Sequence, residues 1–362
     1  MTLELSGVAK VVGGSTHIHP TDLVLERGTM NVLLGPTLAG KTTLMRLMAG
    51  LDRPTAGRVL WDGRDVTGLK VQDRGVAMVY QQFINYPGFT VRENIASPLR
   101  LLRRPAAEIE ARVRRAADLM RLGPYLDRKP LELSGGQQQR TALARALVKE
   151  AGLVLLDEPL ANLDYKLREE LRQEIPRIFE EAGSIFVYAT TEPEEALLLG
   201  GRTATLWEGR VTQFGPTPEV YRQPRDATTA RVFSDPPMNM LAVEKRGARL
   251  HFAGGQGTEA AGRLGDFPDG RYLMGFRANH VRLDRPAGEA LAFRARATGA
   301  EITGSETYLH LDHHGARWVG LLPGIRTLGP AEEVAVWLDP AQVYLFGEDG
   351  ALVAPSAPAR AA

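Results

Sequence analysis

The stretch that most restricts this chain is "GPTLAGKTT", residues 35–43. It follows the apolar run "MNVLLG" (30–35) and precedes the helical pattern "LMRLMAGL". The spacing is G-x-x-x-x-G-K-[ST], a loop that cradles phosphates. Gly35 and Gly40 let the backbone curl so that amide N–H groups face the anion. The helix N-terminus adds favourable partial charge. Lys41 reaches the β- and γ-phosphates, and the Thr42 hydroxyl suits Mg²⁺. Pro36, Thr37, Leu38, Ala39 and Thr43 complete the expected nucleotide-binding stretch. The bland alternative, a glycine-rich turn with an incidental lysine, leaves the strand–loop–helix order unexplained.

A phosphate loop indicates a nucleotide but no task. "GLVLLDEPLANLD" (152–164) adds a second half. Asp157 ends a short apolar run, where a Mg²⁺-water ligand belongs. Glu158 follows at once, placed to orient or deprotonate an attacking water. The runs 30–35, 153–158 and 185–190 are nearly continuous in apolar residues, as strands buried on both faces are. Residues 1–235 alternate such runs with helical patterns and read as an α/β domain. A helical insertion is expected over about 88–150. Thr90 and Glu93 have capping-box spacing. Pro105 opens a helix whose apolar face is Ile109, Val113, Ala116, Ala117 and Met120.

From about 236 to 350 the pattern changes to short β-like runs. Thr307, Leu309 and Leu311 alternate with Tyr308, His310 and Asp312, as in a half-buried strand. This reads as a small all-β barrel-type domain. Among its histidines (His280, His310, His313, His314), His313–His314 before Gly315 suits a hairpin turn better than a metal. The Ala/Pro-rich end, 351–362, is expected to be disordered. Lys plus Arg number 44 against 43 acids, so nothing in the charge balance points to nucleic acid. The chain has no cysteine, which removes disulfides and thiolate metal sites. No apolar run reaches the ~20 residues that cross a bilayer, so any membrane role is peripheral.

"LSGGQQQR" (133–140) precedes the helical pattern "TALARALVKE". Ser134 reads as an N-cap, with Gly135 and Gly136 making the entry turn. That alone does not account for the nucleotide motifs on either side. With this motif the chain resembles the ATPase subunits of ATP-binding cassette (ABC) transporters. The resemblance implies that Leu133, Ser134, Gly135, Gly136 and Gln137, the family's signature motif, close over the ATP held by a second subunit. It implies that Gln81, in "MVYQQFINYPG", contacts Mg²⁺ and the attacking water. "INYPGFT" then forms a docking groove for a membrane subunit, and Asp164 belongs to the loop after Glu158. "SDPPMNML", "MGFRANHVRL" and "LDPAQVYLFGEDG" are similar to the C-terminal oligosaccharide-binding-type domain of sugar, polyol and glycerol-phosphate importers.

Three positions depart from the family pattern. Leu38 stands where a small residue is usual. Val12 stands where an aromatic stacks on adenine, and His17 or His19 is an alternative. Thr191, in "FVYATTEPEEA", stands where a histidine contacts the γ-phosphate. A threonine hydroxyl is shorter and cannot become cationic. The resemblance therefore implies an importer ATPase using ATP and Mg²⁺ on the cytoplasmic face of the membrane. Its partners would be two permease subunits and a solute-binding protein. The altered own site beside a complete signature leads to the expectation of a second, unlike ATPase subunit. Two copies of this chain, or a weakly catalytic regulatory subunit, are the alternatives. Glycerol is the expected solute.

Overall fold

The computed structural model describes residues 2–149, 151–161, 163–252, 256–329 and 331–356. Two compact units divide at Thr217/Pro218.

The first unit holds two sheets. The larger has six strands in the order Arg210–Pro216, Arg202–Trp207, Met30–Leu34, Ile185–Thr190, Leu153–Asp157, Val76–Val79. All its pairs are parallel except the one joining the first two. The central strands are buried throughout, which explains their continuous apolar runs. The second sheet is antiparallel, in the order Ser15–Glu26, Thr2–Val12, Ala56–Trp61, Arg64–Asp65. The helix Lys41–Ala49 contributes Leu44, Met45, Leu47 and Met48 to a core shared with residues of both sheets.

Helices Val91–Leu101, Ala106–Leu119 and Gly135–Val148 form the helical insertion. Thr90 and Glu93 make the expected capping box. Pro105 caps its helix from just outside the first turn, and Val113, Ala116, Ala117 and Met120 are buried. Ile109 is only half-buried.

The second unit is all-β at its centre, in the OB-like class. A six-stranded and a four-stranded antiparallel sheet share one core built on Phe276, Phe293 and Trp318. In Glu306–His313, Thr307, Leu309 and Leu311 are buried while the alternate residues are half-buried. The hairpin turn falls on His314 and Gly315, at φ 50 and 84. His313 instead points inward, stacked on Trp318 at 4.4 Å.

Two boundaries differ from the sequence reading. The expected break lay at 235/236, because the short helices before it continue the α/β rhythm. Those helices pack with the β unit. Arg277 donates to the Tyr221 carbonyl at 2.8 Å and lies 3.6 Å over the Tyr221 ring. Ala227 and Ala230 pack with Tyr344 and Phe346. Within the stretch expected to be disordered, Leu352–Ala354 pair with Tyr344–Phe346. Residues 357–362 lie outside the described residues.

Candidate functional site

Three strand ends converge on one edge of the parallel sheet. Leu34 is in register with Thr190, and Asp157 with Ala189. Ligands of open parallel sheets bind beyond such carboxyl ends. Gly35 follows Leu34, and its N–H donates to the Thr190 carbonyl at 3.3 Å. A Cβ on Gly35 would meet the Leu206 carbonyl oxygen at 2.5 Å, so only glycine fits. Gly40 has φ 101, and a Cβ there would lie 2.8 Å from Ile18 Cδ1. Sterics of this kind, not flexibility, require the two glycines of the motif.

Lys41 opens the helix and is 5% exposed. Its Nζ donates to the carbonyls of Gly35 and Pro36 at 2.7 and 3.1 Å. Glu158 Oε1 lies 3.7 Å away. Burial pulls the ammonium below its ordinary pKa, and Glu158 and Asp157 offset part of that. Thr42 Oγ1 donates to Asp157 Oδ2 at 2.6 Å. Asp157 is 2% exposed, and burial pushes its carboxyl up against the opposing pull of Thr42 and Lys41. Gln81 Nε2 donates to Glu158 Oε2 at 2.9 Å. The Glu158 backbone holds φ 47, a left-handed value rare outside glycine, and its N–H donates to the Ala189 carbonyl at 3.0 Å. Lys41, Thr42, Asp157, Glu158 and Gln81 thus form one contiguous polar set, drawn from three separate stretches of sequence.

The other residues singled out from the sequence stand elsewhere. Pro36, Thr37 and Leu38 are exposed, and Leu38, at 95%, points its side chain into solvent with φ 69. Ala39 is buried and Thr43 half-buried. Val12 is half exposed, beside the Gly13–Gly14 turn of a hairpin. Ser134 caps the helix Gly135–Val148: its Oγ accepts from Gln137 N, and Gln137 Oε1 accepts from Ser134 N at 2.9 Å. Ser134 and Gly135 are exposed, while Leu133 anchors the turn from below. Asp164 caps the next helix, accepting from Leu167 N at 3.0 Å. Thr191 is exposed just past its strand.

Beneath Thr191 lies a network that the sequence did not reveal. Glu195 is 5% exposed. Its carboxylate accepts from Thr190 Oγ1 at 2.6 Å and Tyr188 OH at 3.2 Å, and pairs with Arg172 at 3.3 Å. Arg172 also reaches Glu192 at 3.0 Å and Glu169 at 2.6 Å. Burial alone would lower the Arg172 pKa; its three carboxylates outweigh that and raise it. Burial and then the Glu195 charge push Glu192 up. Gln139 was also missed; it is buried and donates to the Pro159 carbonyl at 2.7 Å, tying the signature helix to the loop after Glu158. Asn85 donates to the Gln138 carbonyl at 2.8 Å, and Arg145 bonds the Ile84 carbonyl while lying 4.9 Å over Tyr86. Ile84, Tyr86 and Phe89 stay exposed on that segment.

The family model described as ABC transporter matches residues 18–161. The sn-glycerol-3-phosphate import ATP-binding protein of Paracoccus denitrificans is 36% identical over 345 residues, covering 94% of this chain and 96% of that protein. The chain belongs to the ABC transporter family. A second relative with the same printed function, from Ralstonia nicotianae, is 38% identical over 332 residues, covering 87% of this chain and 91% of that protein. A solved ATP-binding cassette, in a dimeric post-hydrolysis state with ADP and Pi, is 30% identical with a TM-score of 0.55. It is covered over 98% of its length by 59% of this chain. Among ABC transporter chains this one is therefore an ATPase subunit, a cassette followed by an OB-like β unit.

Proposed function

We propose that this chain powers import of a small polyol or polyol phosphate by binding and hydrolysing ATP. The observation that carries the reading is the contiguous set Lys41, Thr42–Asp157 and Gln81–Glu158 at the sheet edge. Relatives named for sn-glycerol-3-phosphate import support the solute class. Glycerol, expected from the sequence, stays within that class.

The residues present fit a Mg²⁺–nucleotide. The donor set is hard oxygen, and the buried Lys41 ammonium stands at the loop to meet the phosphates. Thr42, Asp157 and Gln81 are the residues that would hold Mg²⁺. The ion would neutralise charge on the phosphate oxygens. Lys41, held at the loop by two carbonyls, turns its cation to the terminal phosphates. Glu158 accepts a proton from the attacking water, its carboxylate aimed by the Gln81 amide. The loop amides and the dipole of the helix Lys41–Ala49 bind the anion without reorganising.

The outward signature end at Ser134 completes the ATP site of a second ATPase subunit. The assembly works at the cytoplasmic face of the membrane with two permease subunits and a solute-binding protein. Ile84, Tyr86 and Phe89 supply the apolar contact for a permease. We take the second ATPase to be an unlike chain. Thr191 motivates that choice, since a threonine hydroxyl replaces the expected histidine. The relatives lend it no support: their names mention a single ATP-binding protein.

The test is co-expression with neighbouring transport genes, followed by ATPase and uptake assays. Slow turnover by the pure chain, and fast turnover only with a co-purifying unlike ATPase, is expected. Full turnover by the pure chain in a complex with permeases alone overturns the unlike pairing. Uptake of labelled glycerol or glycerol 3-phosphate, lost in Glu158→Gln, tests the solute class.

A further inference from the structure

The second unit carries a cleft of about 260 Å³ that plays no part in the nucleotide site. One wall is residues 281–286. The other is residues 321–326, at the end of the strand Ala316–Pro323. Gly320 lets the walls approach, since a Cβ there would meet Val281 Cγ1 at 2.8 Å. Backbone bonds in both directions between Arg282 and Trp337, at 3.1 and 2.8 Å, pin the first wall to the sheet.

Arg282, Arg285 and Arg326 line this cleft, with Asp284 as its one acidic lining residue. Among the described residues, none of the three guanidinium groups forms an ion pair. Other arginines of the chain do find carboxylates, as in Arg46–Asp52, Arg92–Glu110 and Arg172–Glu195. Arg285 lies instead over the Trp337 ring at 5.4 Å. Leu321 and Leu322 add apolar surface. Guanidinium groups match phosphate oxygens in bidentate geometry. Three arginines against one acid in the lining favour a doubly charged anion. The cleft is smaller than the roughly 300–1,000 Å³ that takes a drug-sized ligand, and the leucines suit a short carbon chain.

We propose that this cleft binds a small phosphate monoester, its phosphate on Arg282, Arg285 and Arg326 and its carbons on Leu321 and Leu322. The site stands apart from the transport reading and holds whichever solute is carried.

The full chain is titrated calorimetrically with sn-glycerol 3-phosphate, glycerol and inorganic phosphate in separate runs. ADP is kept saturating so that the phosphate loop is filled. Trp337 reports the same event by fluorescence. Glycerol 3-phosphate is expected to bind with a Kd of about 1 mM or tighter at low salt. Arg282→Ala and Arg326→Ala each weaken it about tenfold, the scale of one charge-assisted bond. Arg246→Ala, at an arginine paired with Glu244 outside the cleft, leaves it unchanged. Glycerol does not bind, and inorganic phosphate binds about tenfold more weakly. Absence of glycerol 3-phosphate binding overturns the proposal. So does an affinity indifferent to both arginine variants, or equal binding of inorganic phosphate.

Discussion

The phosphate-loop corner and the signature end belong to one unit but are built on opposite plans. At the corner, Lys41 and Asp157 are buried, Glu158 is half-buried, and each is held: Lys41 by two carbonyls and Glu158, Asp157 by Thr42, Glu158 by Gln81. At the signature end, the Ser134 and Gln137 side chains close a capping box on each other's backbone, and the helix entrance faces outward. The first is a site assembled by its own fold. The second is a capped, outward-facing helix end that, on the function proposed above, serves a second subunit.

Paired substitutions test that contrast most severely. Lys41→Ala is expected to remove hydrolysis by about 10²–10³-fold, the scale of losing one preorganised electrostatic contact. Ser134→Arg should leave nucleotide binding by the isolated chain within about twofold, yet stop turnover of the assembled transporter. Loss of nucleotide binding by the isolated Ser134→Arg chain breaks the comparison.

Next in size is the network under Thr191. Glu195→Ala removes the acceptor of Thr190 and Tyr188 and leaves a buried Arg172 charge under-compensated. A cost of about 3–5 kcal/mol in denaturant unfolding is expected. Glu195→Gln keeps the hydrogen bonds and should cost less. A smaller effect is expected for Thr191→His. In the assembled transporter it should raise turnover at least about tenfold, within the range for a positioned acid–base group. No gain in any assembly shows that this position does not limit the reaction.

The smallest effect concerns stability. Burial raises the Asp157 pKa in the folded chain, so its ionised form is disfavoured there. The folded state then binds more protons between the unfolded and folded pKa values, and stability falls as pH rises through that window. Asp157→Asn should therefore raise the melting temperature at neutral pH by a few degrees, about 2–4 °C per kcal/mol for a unit the size of Met1–Thr217. The gain should fade as pH drops below the ordinary carboxylate range. Hydrolysis should be lost at every pH.

The corner was readable before any coordinates because its parts lie at fixed offsets around strand ends. "LVLLDE" ends a buried strand on Asp157, and "GPTLAGKTT" sets Lys41 and Thr42 one loop past another, so register brings them together. The Ser134 cap was readable for the same local reason. Glu195 was not: in sequence it is one of several acids opening a helix, and only folding sets it against Arg172, twenty-three residues earlier. Gln139 reads as one of three consecutive glutamines, and nothing local marks it as the buried one. The 217/218 division was hidden because two short helices carry an α/β rhythm, while their partners, Arg277 and Tyr344, lie far along the chain.

The left-handed backbone at Glu158 places this residue under two opposed kinds of selection. A non-glycine residue at φ 47 costs about 1–2 kcal/mol relative to one free to adopt it. A laboratory screen for heat resistance alone would tend to drive position 158 toward glycine, relieving the backbone and erasing the carboxylate. Growth on an imported solute would hold the acid in place. The identity of this residue in an evolving population therefore records whether transport or mere persistence was being selected.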